Sequence, residues 1–275
     1  MSEIKYSRDG ILLDIDNVKL ILDGNLILRD ISVKVYDIIR PDCVQGQIVG
    51  FLGPSGIGKT QFSKIMAGLQ KPTSGNVYIS PGRIPVTKGL VGYVSQNYLL
   101  FEHRTVLSNL LISCKQHGLS KNESVAKVKY YLDKFDLYDK RNDYPSQLSG
   151  GQRQRVAIAQ QMLCSDHYLI MDEPFSGLDV INIEKVCEMI ISVANEDEFN
   201  TIIIVTHDVT SASLISDTLW LMGREKDEQG NFIKGAIIKE TIDLIELDLA
   251  WHKEIQYTQK FTDFVRNLKA EFRKL

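Results

Sequence analysis

Apolar residues along the chain fall into short runs of two different periods, and the alternation between them predicts an α/β fold. Up to Val35 the runs are brief: Ile11-Leu12-Leu13, then residues 18–22, Leu26-Ile27-Leu28 and Ile31-Ser32-Val33-Lys34-Val35. Asp23-Gly24 and Asn25 interrupt them, which is turn chemistry and predicts an antiparallel hairpin. Residues 36–43, with Arg40-Pro41-Asp42, read as an exposed loop. Ile48-Val49-Gly50-Phe51-Leu52 is an unbroken apolar run, short enough for a buried strand. Past a glycine-rich stretch, Phe62, Ile65, Met66 and Leu69 recur at helical spacing. Gly68, Pro72 and Gly75 then stop that helix.

Short strands are predicted over 77–79 and 90–94. From Thr105 to about Tyr138 the period is helical, with Val106, Leu110, Leu111, Val125, Val128, Tyr131 and Leu132 as the apolar face. Pro145 breaks it, and a new helix carries Val156, Ile158, Ala159 and Met162. Tyr168-Leu169-Ile170-Met171 predicts a second buried strand, residues 181–194 a helix, and residues 201–205 a third strand. Strands alternating with helices imply parallel crossovers, and such sheets bind ligands beyond the C-terminal ends of their strands. Near the end, strands at 219–222 and 236–238 flank a polar turn. Ile255, Phe261, Phe264, Val265, Leu268 and Phe272 then predict a helix packed on its own domain, with a partner contact as the alternative.

Composition narrows the class. The 275 residues are 44% hydrophobic and 24% charged with a formal net charge of −3, so there is no overall basic field to favour nucleic acid. Cys43, Cys114, Cys164 and Cys187 stand far apart without a C-x-x-C pair, which argues against a disulfide framework or a zinc site. The first residues lack the basic-then-apolar order of a signal peptide. No apolar run approaches the roughly 20 residues that cross a bilayer. Any membrane-spanning part is expected on other chains.

The chemistry centres on Gly53-Pro54-Ser55-Gly56-Ile57-Gly58-Lys59-Thr60, which reads G-x-x-x-x-G-K-[ST], a phosphate-binding loop. A strand before it and a helix after it aim unpaired N–H groups and the helix dipole at an anion, and Gln61, the next residue, is counted with the loop as nucleotide-binding. Lys59 is expected to reach the β- and γ-phosphates and Thr60 to ligate Mg²⁺. Asp172 closes a buried strand, where a carboxylate can hold the same ion. Glu173, the next residue, points elsewhere and can orient or deprotonate an attacking water. Gln96 and His207 follow other strands and are expected to converge on the same site. Leu148-Ser149-Gly150-Gly151-Gln152 opens a helix and is a second anion-ready turn. By average residue frequencies that pentapeptide arises by chance in roughly three chains per ten thousand of this length.

With these motifs in this order, the chain resembles the ATP-binding subunit of an ABC transporter over about residues 11–225. The resemblance names Gln96 the Q-loop, residues 148–152 the signature, Ser176-Gly177-Leu178-Asp179 the D-loop and His207 the switch histidine. It implies a P-loop, RecA-like core (residues 1–96 and 161–225) with an antiparallel β-subdomain. It also implies an inserted helical subdomain (97–160) and an extension (226–275), all within one ATPase domain. It implies ATP and Mg²⁺ as cofactors, and Lys59, Gln96, Glu173 and His207 as the catalytic set, with Thr60, Gln96 and Asp172 on the metal. The implied partners are transmembrane permease subunits and a second ATPase copy. In that head-to-tail pair the signature of one copy contacts the γ-phosphate held by the other's Lys59. The place implied is the cytoplasmic face of the membrane.

Some positions depart from the family pattern. Leu22 falls where an aromatic stacks on adenine, with Tyr6 as a possible substitute; residues 36–43 look like an insertion; Glu102 stands where importers often have proline. The stretch from Gln96 to Val106 and the compact tail resemble cassettes serving small-anion importers such as those for nitrate, sulfonate or taurine. A soluble ATPase of the iron–sulfur cluster assembly type is the alternative reading. A DNA-repair ATPase would need a coiled coil or zinc modules between the two glycine turns, and a non-hydrolysing module would lack Glu173 or His207.

Overall fold

The computed structural model describes residues 6–40, 44–165, 167–252 and 254–275. In chain order the elements are strands β1 (Ser7–Leu22), β2 (Asn25–Ile39) and β3 (Gln47–Leu52), helix α1 (Lys59–Met66), and strands β4 (Ser74–Ile79), β5 (Ile84–Pro85) and β6 (Gly92–Val94). Helices α2 (Val106–Gln116), α3 (Lys121–Lys134) and α4 (Gly150–Met162) precede strand β7 (Tyr168–Asp172), helix α5 (Val180–Ala194) and strand β8 (Thr201–Thr206). Helix α6 (Val209–Ile215), strands β9 (Thr218–Gly223) and β10 (Ile237–Asp243) and helix α7 (Gln259–Phe272) complete the order.

Two sheets organise the molecule. One is antiparallel, in the order β2-β1-β4-β5; the other runs β10-β9-β3-β8-β7-β6, parallel except for β10. The parallel strands are buried on both faces, so they read as unbroken apolar runs. Successive side chains of one strand therefore serve different cores. Ile48, Ile202 and Ile204 pack with α2–α5, whereas Val49, Phe51, Ile203 and Val205 pack between the two sheets with Phe62 and Met66 of α1. A third cluster joins Leu52, Leu219 and Leu221 to Phe261, Val265 and Leu268 of α7. Full burial of such a side chain contributes about 1.5–3 kcal/mol, so α7 is packed on its own domain as expected.

Asp23-Gly24 makes the expected hairpin turn, with Leu22 opposite Asn25. Beyond Val35 the expectation fails. β2 continues to Ile39, pairing Tyr36 with Ile11 and Ile38 with Arg8, and only residues 41–43 of the expected loop lie outside the described residues. The cause is non-local: residues 7–11 of β1 supply the edge on which Tyr36–Ile39 pair as strand, and Ile38 faces inward. The long helical stretch divides at Gly118 (φ 82°) into α2 and α3. Val125, expected on the apolar face, is exposed because α3 buries Ser124, Val128, Tyr131 and Leu132 instead. Leu69 lies past the end of α1 and is exposed as well.

Candidate functional site

β3, β7, β8 and β6 lie side by side, and the segments leaving their C-terminal ends carry Lys59, Asp172, Glu173, His207 and Gln96. The phosphate loop connects β3 to α1. Gly56 (φ 76°) and Gly58 (φ 115°) adopt left-handed backbone. A Cβ on Gly58 would also stand 3.1 Å from Ile27 Cγ2 and 3.2 Å from Leu28 Cδ2, so the hairpin presses directly on the loop.

Lys59 is the first residue of α1 and is buried. Its Nζ donates to the carbonyls of Gly53 (2.8 Å) and Pro54 (3.2 Å) and stands 3.7 Å from Glu173 Oε1. Burial pulls the ammonium pKa down, and the nearby Glu173 and Asp172 carboxylates oppose it. Thr60 Oγ1 donates to Asp172 Oδ1 at 3.4 Å. Asp172 Oδ2 accepts from the Tyr93 phenol at 2.9 Å, and burial pushes the Tyr93 pKa up, so the phenol stays a donor.

Glu173 is held from several sides. Its backbone sits at φ 53°, a costly region for a residue with a Cβ, and its N–H donates to Val205 O at 2.7 Å. Its Oε2 accepts from Thr206 Oγ1 (3.1 Å) and lies 2.9 Å from His207 Nδ1. The outcome is a carboxylate clamped between a lysine and a histidine, beside an open cleft. Gln96 is exposed and donates through Nε2 to Ser176 Oγ at 3.2 Å, which places it on the D-loop side rather than against Thr60. The Pro174 carbonyl accepts from Tyr98 (3.3 Å) and from buried Gln154 of α4 (2.9 Å), tying the helical subdomain to the Glu173 strand end.

The second glycine turn does not join this cluster. Ser149 caps α4, accepting from Gln152 N at 3.3 Å, while Gln152 Oε1 accepts from Ser149 N at 2.9 Å. Among the described residues no hydrogen bond joins residues 148–152 to the phosphate loop or to Glu173. Asp179 is occupied as the N-cap of α5, accepting from Asn182 N at 2.9 Å. Leu22 is half-buried against the core between the sheets. Tyr6 cannot replace it, because it sits beyond the far end of β1, roughly 50 Å along the strand, with its ring edge-on to Trp251 at 6.0 Å. Glu102 pairs with Arg153 of α4.

Tyr93 and Thr206 were not singled out in the sequence. Their signal is weak: a polar tip on a strand end becomes informative only once its partner is known.

Thr60 and Asp172 offer hard oxygen donors side by side, and among the described residues no group of three His, Cys, Asp or Glu could hold a metal alone. That donor set fits Mg²⁺, which is commonly held by one or two protein oxygens plus substrate phosphates and water.

A glycine loop at the end of a central parallel strand, a lysine inside it and an acidic strand end beside it define a P-loop nucleotide-binding domain. Comparison with known proteins is more specific. The sequence profile of the family described as ABC transporter matches residues 36–176, just over half of the chain. The sulfate/thiosulfate import ATP-binding protein CysA of Gloeobacter violaceus is 35% identical over 194 residues, covering 70% of this chain and 56% of its own length. The nitrate import ATP-binding protein NrtD of Synechocystis is 36% identical over 70% of this chain and 71% of its own length. The arginine transport ATP-binding protein ArtM of Bacillus subtilis is 33% identical over 78% and 86%. An ATP-binding cassette solved as a dimer in a post-hydrolysis state with ADP and Pi superposes with TM-score 0.66 at 25% identity, over 85% of this chain and 99% of that one. cbiO1 of Clostridium perfringens, part of an ABC transporter complex, superposes with TM-score 0.68 at 24% identity over 82% and 89%, a likeness of fold. The chain belongs to the ABC transporter family. It spans little more than half the length of the CysA relatives.

Proposed function

We propose that this chain is the ATP-hydrolysing, energy-coupling subunit of an ABC transporter that imports a small solute. The observation that carries the reading is the convergence of Lys59, Thr60, Asp172, Glu173 and His207 at neighbouring strand ends. Lys59 neutralises charge on the β- and γ-phosphates, and the Gly53 and Pro54 carbonyls hold its Nζ beside the loop. Glu173, aimed by Thr206, takes the proton of the attacking water, and His207 holds that water in line. Thr60 and Asp172 hold Mg²⁺, which supplies charge neutralisation at the phosphates.

The working form is a pair of copies with ATP between them. The turn Ser149-Gly150-Gly151-Gln152 of one copy, exposed at Ser149 and Gly150, completes the phosphate site of the other, and the pair sits on permease subunits at the cytoplasmic face of the membrane. Among the described residues no helix is long and apolar enough to cross a membrane. Leu99 (73% exposed) and Phe101 (42% exposed), between Gln96 and α2, offer an apolar surface for a permease segment. That the relatives include sulfate, nitrate and arginine transport subunits supports import of a small solute and leaves the cargo open.

The test is a mild-detergent pull-down of the tagged chain from its own membranes, paired with ATP binding. Recovery of a polytopic membrane protein is expected, and recovery of soluble assembly factors alone would remove transport. Lys59→Ala is expected to weaken ATP binding about tenfold or more, since a hydrogen bond to a charged group is worth about 1.5–3 kcal/mol. Undiminished binding would mean that the phosphate loop has been misassigned.

A further inference from the structure

Helix α7 and the residue pair after it carry five basic side chains, and they divide into two sets. Lys260 is ion-paired with Asp248, Arg266 with Asp263 and Lys274 with Glu271. Lys269 and Arg273, four residues apart and so on one face of the helix, have no ion-pair partner among the described residues. Basic residues suit the negative end of a helix dipole, but like charges at this spacing destabilise a helix. Both side chains are solvent-exposed and uncommitted to any carboxylate among the described residues.

These two side chains line an open cleft of about 470 Å³, together with Phe272, and Glu173, His207 and Asp208 line it too. A packed element positions the cations, because Phe261, Val265 and Leu268 anchor α7 in the core. Leu275 closes on Gly223, where an added Cβ would stand 2.9 Å from Leu275 Cδ2.

The two carboxylates lining the cleft are already committed. Glu173 Oε2 serves Thr206 and His207 and its Oε1 faces Lys59. Asp208 Oδ1 accepts from Thr210 N (3.0 Å) and Ser211 N (3.3 Å), and Oδ2 accepts from Ser211 Oγ (2.6 Å). Lys269 and Arg273 are the lining cations, and neither side chain has an ion-pair partner among the described residues. Its volume is several times the roughly 30 Å³ share of one water, enough for a hydrated tetrahedral ion.

We infer that this cleft is a binding subsite for a tetrahedral oxyanion, held by Lys269 and Arg273, and that during turnover it receives the inorganic phosphate cleaved from ATP. The product assignment rests on the hydrolysis proposed above; the binding of an oxyanion does not. Glu173 and His207 of the proposed hydrolysis site line the same cleft as Lys269 and Arg273, so phosphate leaving those two residues enters the cleft the two cations line.

The first experiment is calorimetric titration of the intact chain with inorganic phosphate, and separately with sulfate, for the wild type and for Lys269→Ala/Arg273→Ala. Two partly exposed ionic contacts predict about a tenfold weaker affinity in the double variant. The charge-conserving Lys269→Arg/Arg273→Lys is expected to bind nearly as the wild type. Equal phosphate affinity in the wild type and the alanine variant would overturn the subsite. The second experiment measures phosphate release in a single turnover with a fluorescent phosphate sensor, against quenched-flow cleavage. A changed delay between cleavage and release in the alanine variant supports the product assignment. An unchanged delay overturns that assignment and makes the ion a ligand from solution. Titration needs no activity, so a chain that binds phosphate without hydrolysing ATP would sink the ATPase reading and leave the subsite standing.

Discussion

The chain carries two glycine turns at helix N-termini, and they are built for opposite situations. Around Gly53–Thr60 everything is drawn together: Lys59 is buried, its ammonium bonded to two carbonyls and set against Glu173, and Thr60 touches Asp172. Around Ser149 the helix end is closed on itself by a reciprocal Ser149–Gln152 cap, and Gly150 is exposed. The first turn gathers its charged partners from within one chain. The second uses its Ser149 and Gln152 N–H groups in its own cap, and among the described residues no carboxylate of the chain hydrogen-bonds to residues 149–152. A binding element that is satisfied only by a second molecule makes that molecule's arrival conditional on the ligand, and this is how a nucleotide can shift an association equilibrium. The contrast predicts that the two turns respond differently to substitution.

The largest effect is expected at Glu173. Glu173→Gln keeps the shape and the Thr206 contact but removes the base, so hydrolysis should fall about 10²–10⁴-fold while ATP still binds. With both turns intact and no turnover, ATP should hold the pair closed; light scattering or sedimentation with saturating Mg-ATP reads this. A variant that stays monomeric would break the comparison, because the second turn would then have no partner to complete.

A smaller effect, confined to the second turn, is expected for Ser149→Asp. Aspartate caps a helix as well as serine does, so α4 should remain folded, yet its charge would face the partner copy's triphosphate. Loss of one such donor contact in trans should lower hydrolysis about 10²–10³-fold and abolish ATP-dependent pairing, with ATP affinity of the single chain retained. Hydrolysis at the wild-type rate would place Ser149 outside the site.

How much of this was legible in the sequence follows the same division. The phosphate loop, the Asp23-Gly24 turn and the cap at Ser149 were legible because each is decided by a few adjacent residues. The strand at 36–39 was not, since its partner is the polar stretch at 7–11 some thirty residues earlier. Val125 and Leu69 misled because periodicity names a face without saying where the helix ends or what covers it. The convergence of Lys59, Asp172, Glu173 and His207 was legible from strand ends alone, but the groups that aim them were not. Thr206 on Glu173, and Ser176 on Gln96, depend on which strands become neighbours in the sheet.

Tyr93 is the sharpest case of that kind, and it carries the smallest expected effect. Its phenol, 79 residues before Asp172 in the chain but on the neighbouring strand of the sheet, donates to Oδ2 at 2.9 Å while Thr60 donates to Oδ1, and Ser63 Oγ lies 3.4 Å from the same phenol. Tyr93→Phe keeps the ring and removes only the donor. Asp172 would then be free to rotate, and metal-site partners of this kind typically alter affinity about 10–100-fold. Here the hydroxyl acts on one of two protein donors, so the lower bound applies: the Mg²⁺ midpoint for hydrolysis should rise about tenfold. ATP binding without metal should be unchanged, because Lys59 does not contact Tyr93. An unchanged midpoint would show that Asp172 is oriented by its strand alone, and that the first turn owes its geometry to backbone rather than to the side chains gathered around it.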